Sequence, residues 1–262
     1  MPGNVHRRKT KVGTLDIRYF SGGQGDPLIV IHGGSDGARS WRENLEELSR
    51  NFRVFAPDLP GFGHSQSAGN KFHLPQFVAF IEDFSQALGL ERFHLMGHSL
   101  GGGIALHYAL QFPQRIKGLV LVSSWCLGME TALWVRVLSR PVISKPLGEA
   151  GVAIFKAIGW LARLFYARFR FANPLTQVKI DMGKTMMTLK GQVAMLQDRL
   201  PDLRVPTVLV WGDRDRIVPA SHAYAAVQLI PQCQLYIFED CGHSVHRQRS
   251  KELSRLLTRF WD

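Results

Sequence analysis

The residues best suited to chemistry in this chain lie in three short stretches. "GHSLG" places Ser99 between Gly97 and Gly101, "WGDRDRIVP" offers Asp213 and Asp215, and "CGHSVH" offers His243 and His246. A serine hydroxyl is a weak nucleophile near neutral pH. It needs a base to take its proton, and the base needs a carboxylate to orient it and stabilise its charged form. Where the serine stands at a strand–turn–helix corner, the chain order expected is serine, then carboxylate, then histidine. The chemistry would be attack on a carbonyl carbon, and the oxyanion so formed needs two fixed donors. One is expected to be the backbone N–H of Leu100, directly after the serine.

The G-x-S-x-G spacing also has a mechanical meaning. A strand must turn sharply into a helix with Ser99 at the apex, and glycines two before and two after allow the close packing this requires. An apolar run, "RFHLMG" (92–97), precedes the motif and a helical pattern, 100–111, follows it. The N-terminus of that helix supplies free N–H groups and positive potential at the turn.

The elements that must position these groups are legible along the chain. Short apolar runs at 27–33, 52–58, 92–97, 118–124, 206–212 and 233–239 are bounded by Gly, Pro or polar residues and read as strands. Their near-continuous apolarity predicts strands covered on both faces. "KVGTLDIRYFSGG" (11–23) reads as a β-hairpin at a sheet edge, and helical patterns fill 41–49, 74–88, 100–111, 221–229 and 248–260. This alternation predicts an α/β fold, a mostly parallel twisted sheet flanked by helices, with ligands bound beyond the carboxyl ends of the strands.

The alternation breaks once. Residues 125–200 show helical patterns and no convincing strand, so the expected organisation is a core from 1–124, a helical cap at 125–200 and the rest of the core at 201–262. On a helical wheel Ile154, Ile158, Leu161, Phe165 and Phe169 share one face, and Lys156, Arg163 and Arg170 the opposite one. The apolar face is expected to pack on the core with the charges solvated, and the sharper reading has that face also line an acyl pocket.

The formal net charge is +11 and the pI about 10.0. It is concentrated: residues 1–12 carry four Lys or Arg and no acid, and residues 125–200 carry eleven against four acids. Such a local field attracts anionic partners, here a peripheral contact of the cap with an anionic membrane surface, or serves solubility alone. The core is neutral and no nucleic-acid motif is present, which disfavours nucleic acid. The start lacks an apolar leader and the longest apolar runs are interrupted by Lys or Arg, so neither a signal peptide nor a spanning helix is expected, and the default location is cytoplasmic. Cys126, Cys233 and Cys241 are odd in number and far from metal-ligand spacing. With no G-x-G-x-x-G opening the first βα unit and no P-loop, neither a cofactor nor a metal is expected.

Four motifs together resemble the α/β-hydrolase family: "HGG" (32–34) with Trp41 downstream, "DLPGFGHS" (58–65), "GHSLGG" (97–102), and "WGDRDRIVP" with "CGHSVH". They span nearly the whole core but not 125–200. The resemblance implies Ser99 as nucleophile, His243 as base and Asp215 as its acid, with the backbone N–H of Gly34 joining that of Leu100 as oxyanion donor. Asp213 is then expected to shape its turn, His246 to open the final helix, His98 to be structural or pocket-lining, His32 and His64 to brace loops, and Asp58 to anchor one. "HGGSDG" departs from the commoner HGxPG-like loop at Ser35 and Asp36. The implied activity is cleavage of a carboxylic ester of a hydrophobic acyl or aromatic substrate through an acyl-enzyme. Relatives that attack with an aspartate are disfavoured by Ser99. Two alternatives stay open. One is a carbon–carbon bond hydrolase acting on a meta-cleavage-product type substrate, although such enzymes typically show Asn before the serine and Trp after the histidine, where this chain has His98 and Ser244. The other is a non-catalytic small-molecule receptor on the same fold.

Overall fold

The structure, a computed structural model, describes residues 5–34, 37–67, 73–138, 187–188, 190–192 and 194–261. Eight strands form one sheet: β1 (His6–Val12), β2 (Leu15–Gly22), β3 (Asp26–Ile31), β4 (Phe52–Pro57), β5 (Phe93–His98), β6 (Ile116–Val122), β7 (Thr207–Gly212) and β8 (Cys233–Phe238). Their spatial order is β1-β2-β4-β3-β5-β6-β7-β8. The pairings from β4 through β8 are parallel, and β1–β2 and β2–β4 are antiparallel. The hairpin expected at the amino end is present: Gly13, at φ +56, opens a two-residue turn that sets Val12 opposite Leu15.

The continuous apolar strands follow from burial on both faces. Ile29, Ile31, Leu119, Leu121, Leu209 and Trp211 point into one core. Their neighbours Leu28, Val30, Val120, Val122, Val208 and Val210 point into the other. The first core is closed by α2 (Leu74–Ala87), α3 (Leu100–Gln111) and α5 (Ser221–Val227), the second by α1 (Arg42–Leu48) and α7 (Ser250–Trp261). Helix α2 inserts Phe77, Phe80, Ile81 and Phe84, all buried at helical spacing, each contributing about 1.5–3 kcal/mol by burial. Helix α7 is held to α1 by the side-chain amide of Asn44, which donates to the carbonyl of Ser250 at 3.1 Å.

Two boundaries differ from expectation. The helix expected at 41–49 begins as a 3-10 turn, Ala38–Trp41, before α1. The final helix is split: the single turn α6 (Val245–Gln248) precedes α7, with Arg249 at φ −129 between them.

Of the expected cap, the described parts are its two ends. They hold the short helix α4 (Leu133–Leu138), a two-residue antiparallel ribbon pairing Met187–Thr188 with Gly191–Gln192, and a 3-10 helix at Gln197–Asp202. The ribbon corrects the expectation of a strand-free insertion. Gly191, in its second strand, adopts φ +138 against the backbone of Met129. The amphipathic stretch at 153–170 and its Lys156–Arg163–Arg170 stripe lie outside the described residues. Among the described residues no helix is long and apolar enough to cross a membrane.

Candidate active site

Ser99 stands between β5 and α3 at φ +53 and ψ −115, a left-handed conformation that a side-chain-bearing residue rarely adopts. Such a backbone costs about 1–3 kcal/mol and needs surroundings that over-determine it. The glycines supply those surroundings. A Cβ on Gly97 would lie 2.2 Å from the carbonyl oxygen of Gly101, and one on Gly101 would lie 2.5 Å from that of His32. Strand β6 holds the turn from the other side. The Ser99 N–H donates to Val122 O at 2.9 Å, and the Trp125 N–H donates to Ser99 O at 3.1 Å. The serine itself is 7% exposed.

His243 lies on the loop after β8 and Asp215 on the loop after β7. Nδ1 of His243 is 2.8 Å from Oδ2 of Asp215, whose side chain is fully buried. The other carboxylate oxygen, Oδ1, accepts from the N–H groups of Ile217 at 2.9 Å and Val218 at 3.0 Å. The carboxylate is thereby fixed in orientation. With Nδ1–H donating to it, the imidazole keeps the lone pair on Nε2 for taking up a proton. Asp213 is turned elsewhere: it accepts from the N–H of Cys241 at 3.1 Å and ties the β7 loop to the β8 loop. Backbone donors, that of Cys241 first, hold its carboxyl below the usual range.

The loop after β3 reaches the same turn. A Cβ on Gly33 would come within 3.4 Å of Ser99 Cβ and 2.8 Å of His98 Nδ1, whereas one on Gly34 would meet only the Leu100 side chain, at 3.9 Å. Among the described residues, neither the Gly34 nor the Leu100 N–H is consumed by another hydrogen bond. The loop is braced as expected. His32 donates from Nδ1 to the Gly33 carbonyl at 2.6 Å and accepts at Nε2 from the Leu59 N–H at 3.0 Å. Asp58 accepts from the N–H groups of Ala38 at 2.7 Å and His64 at 2.9 Å.

A stack of rings beside the site had no local signal in the sequence. His98 lies 4.8 Å from His243 and 4.3 Å from His246, and Trp41 lies 4.4 Å from His246, ring to ring. Nε2–H of His98 donates to the main-chain carbonyl of His243 at 2.9 Å. Burial keeps both neighbouring histidines neutral: it holds His98 well below the ordinary imidazole value and, helped by the charge of Arg247, brings His246 to about 3. His246 sits in the one-turn α6, close to its expected place.

The ends of the insertion are stitched next to this turn. The chain leaves β6 through Ser123 at φ +45 and Cys126 at φ +73. The Cys126 N–H donates to Gln192 Oε1 at 2.8 Å, the Leu196 N–H to Cys126 O at 2.9 Å, and Glu130 meets the buried His222 of α5 at 2.7 Å. Gln192 and His222 carried no recognisable sequence signal, because their partners are far along the chain. Among the described residues, no group of three or more His, Cys, Asp or Glu side chains is placed to hold a metal ion.

Comparison with known proteins bears on the fold as a whole. A family model described as alpha/beta hydrolase fold matches residues 26–249. An uncharacterized protein of Mycobacterium tuberculosis is 30% identical over 261 residues, covering 92% of this chain and 76% of that protein. The 2-hydroxy-6-oxo-2,4-heptadienoate hydrolase of Pseudomonas putida is 29% identical over 263 residues, covering 97% and 95%. Among solved structures, a bacterial membrane phospholipase A, described as a virulence factor, superposes with a TM-score of 0.75 at 25% identity, covering 98% and 85%.

Proposed function

The chain belongs to the alpha/beta hydrolase fold family and is a hydrolase, and from that premise we propose that it cleaves a carbon–carbon bond beside a ketone in a 2-hydroxy-6-oxo-dienoate type substrate. The observation that carries the reading is the fixed His243–Asp215 pair, with a serine held at positive φ directly after His98, whose ring lies 4.8 Å from that of His243. The choice of bond rests on the likeness to the heptadienoate hydrolase, which covers nearly the whole of both chains. This likeness favours carbon–carbon cleavage over the ester cleavage that the sequence led us to expect first.

In this reading His243 Nε2 takes the proton of Ser99 as the oxygen attacks the carbonyl carbon. The N–H groups of Gly34 and Leu100, free among the described residues, hold the oxyanion. The carbon–carbon bond breaks, the dienol carbon leaves with a proton from His243, and water activated by the same histidine hydrolyses the acyl-enzyme. Asp215 keeps the imidazole in one tautomer throughout. Residues 125–200 act as the cap, entered and left beside the serine through Cys126 and Leu196, and their apolar composition suits an aromatic or alkyl substituent on the substrate.

Ester hydrolysis is the second reading, and particular residues favour it. His98 and Ser244 stand where carbon–carbon hydrolases of this type typically carry Asn and Trp, and a phospholipase shares the fold along nearly the whole chain. One panel separates the readings: 2-hydroxy-6-oxo-6-phenylhexa-2,4-dienoate against p-nitrophenyl esters of increasing chain length, for the native chain and Ser99→Ala. Higher kcat/KM on the dienoate supports the first reading, and turnover confined to esters supports the second. Neither turnover nor fluorophosphonate labelling of Ser99 would leave the fold serving as a small-molecule receptor.

A further inference from the structure

We propose that a groove at the amino-terminal hairpin, separate from Ser99, binds a phosphate monoester group. The groove has a volume of about 380 Å³ and is lined by Arg7, Arg18, Tyr19, Phe20, Arg39 and His64, with Asp58 and Gly63 completing the wall. That volume suits a small molecule. None of its lining residues is Ser99, His243 or Asp215.

The groove concentrates positive charge at a stability cost. In the hairpin register Arg7 faces Phe20, Lys9 faces Arg18 and Lys11 faces Asp16, so one face carries four cations and a single carboxylate. That carboxylate is paired with Lys11 at 3.8 Å. Lys9 directly opposite Arg18 is a like-charge pair, which destabilises a ladder unless something of opposite sign intervenes. Among the described residues, Arg7, Arg18 and Arg39 have no carboxylate partner. Asp58 is close, but its two oxygens are already engaged by the N–H groups of Ala38 and His64.

The frame around these cations is fixed. The Arg18 N–H donates to Ser65 Oγ at 2.9 Å, and its carbonyl accepts from the Asp58 N–H at 2.8 Å. The Arg7 guanidinium lies 5.5 Å above the Phe20 ring, which pre-orients it. Gly37 and Gly63, at φ +69 and +52, let Asp58 sit so close that a Cβ on either would strike its carboxylate.

Charge balance selects the ligand. Three guanidiniums against the one Asp58 carboxylate leave two positive charges, which a phosphate monoester dianion matches and a monocarboxylate does not. Guanidinium forks pair with phosphate oxygens in bidentate geometry, and the Phe20 ring, on the same face as Arg7 and Arg18, favours an organic substituent over bare phosphate. The same group occurs on soluble phosphorylated metabolites and on the headgroup of phosphatidic acid.

The test uses the intact chain. Calorimetric titration with phenyl phosphate and with inorganic phosphate is run beside flotation on phosphatidylcholine vesicles with and without phosphatidic acid. Arg18→Gln and Arg39→Gln, singly and together, are compared with Arg255→Gln plus Arg259→Gln on α7, which removes equal charge elsewhere. Arg18 and Arg39 are exposed, so thermal melts should match the native chain or rise slightly where Arg18→Gln relieves the repulsion from Lys9. Losing a charge-assisted bond weakens binding about tenfold or more. We expect that loss in the Arg18/Arg39 variants, and tighter binding of phenyl phosphate than of inorganic phosphate. Binding of the soluble ligands assigns a soluble source; binding only to phosphatidic acid vesicles assigns the headgroup. No binding in any arm, or equal loss in the α7 control, overturns the site.

Discussion

Nδ1 of His243 lies 2.8 Å from Oδ2 of Asp215, and the other oxygen of that carboxylate is held by two backbone N–H groups. The carboxylate can therefore neither rotate away nor exchange oxygens. Asp213, two residues earlier, is held by a different loop and presents no oxygen to the imidazole.

This division predicts unequal variants. In Asp215→Asn the amide oxygen can keep the Ile217 and Val218 donors, but its NH₂ then faces Nδ1 and forces the proton onto Nε2, the wrong tautomer for a base. We expect kcat to fall roughly 10³–10⁴-fold with the fold intact. Asp213→Asn keeps an acceptor for Cys241 on an exposed turn and should change kcat by about threefold or less. Steady-state kinetics on whichever substrate the native chain turns over measures both, and reversal of their ranks removes Asp215 from its assigned role.

The glycines around the serine predict a second contrast, in stability. Gly97→Ala forces a methyl group to 2.2 Å from a carbonyl oxygen of the following helix. Neither partner is a flexible side chain, so the strand or the helix must move. We expect a loss of about 3 kcal/mol or more, or no folded protein. Gly34→Ala places its methyl group against the Leu100 side chain at 3.9 Å, ordinary contact, and keeps the N–H. Urea unfolding should show a change of about 0.5 kcal/mol or less. Equal stabilities of the two variants would contradict the packing described here.

How much of this was legible in the sequence depends on the range of the interaction. The strands, the hairpin and the turn at Ser99 are local: period, glycine spacing and a following helix specify them. The order Ser99, Asp215, His243 was readable because each residue follows its own strand, and strand ends converge on one edge of a parallel sheet. The ring stack of Trp41, His98 and His246 joins positions up to about two hundred residues apart through packing alone, and no single-chain pattern encodes that. The cationic groove was hidden for a related reason. Segment-by-segment charge set Arg18 and Arg39 in a neutral stretch, and only the fold brings them beside Arg7.

Acid should destabilise the chain partly through His94, at the amino end of β5 and far from the serine. Its ring packs between Phe52 and Trp261, 3.5 Å from Asp26, which Lys117 also holds. Burial lowers its pKa to about 4, outweighing the opposing pull of Asp26. An exposed imidazole titrates near ~6.5, so below that value the unfolded chain takes up a proton that the folded chain refuses. Stability is therefore greatest above about pH 6.5 and falls as pH drops towards 4, with a slope of up to about 1.4 kcal/mol per pH unit from this group. Urea unfolding of His94→Phe and the native chain across that window should show a shallower decline in the variant. Parallel curves would show that His94 takes up its proton while folded.

His98 gives a prediction that separates positioning from mere packing. Its Nε2–H holds the main-chain carbonyl of His243 at 2.9 Å, so in the proposed mechanism it acts on His243 through the backbone and touches no reacting atom. His98→Leu fills similar space but leaves that carbonyl without its donor, a loss of about 1–3 kcal/mol. If the strain is relieved by movement of His243, the cost appears in the step the imidazole serves. We expect kcat to fall about 10- to 100-fold with KM changed by about twofold or less. His98→Gln can offer an amide N–H near the position of Nε2 and should recover a substantial part of kcat. Burial keeps His98 neutral, so the neutral Gln removes no charge from the site. A purely packing role would instead let Leu perform as well as Gln.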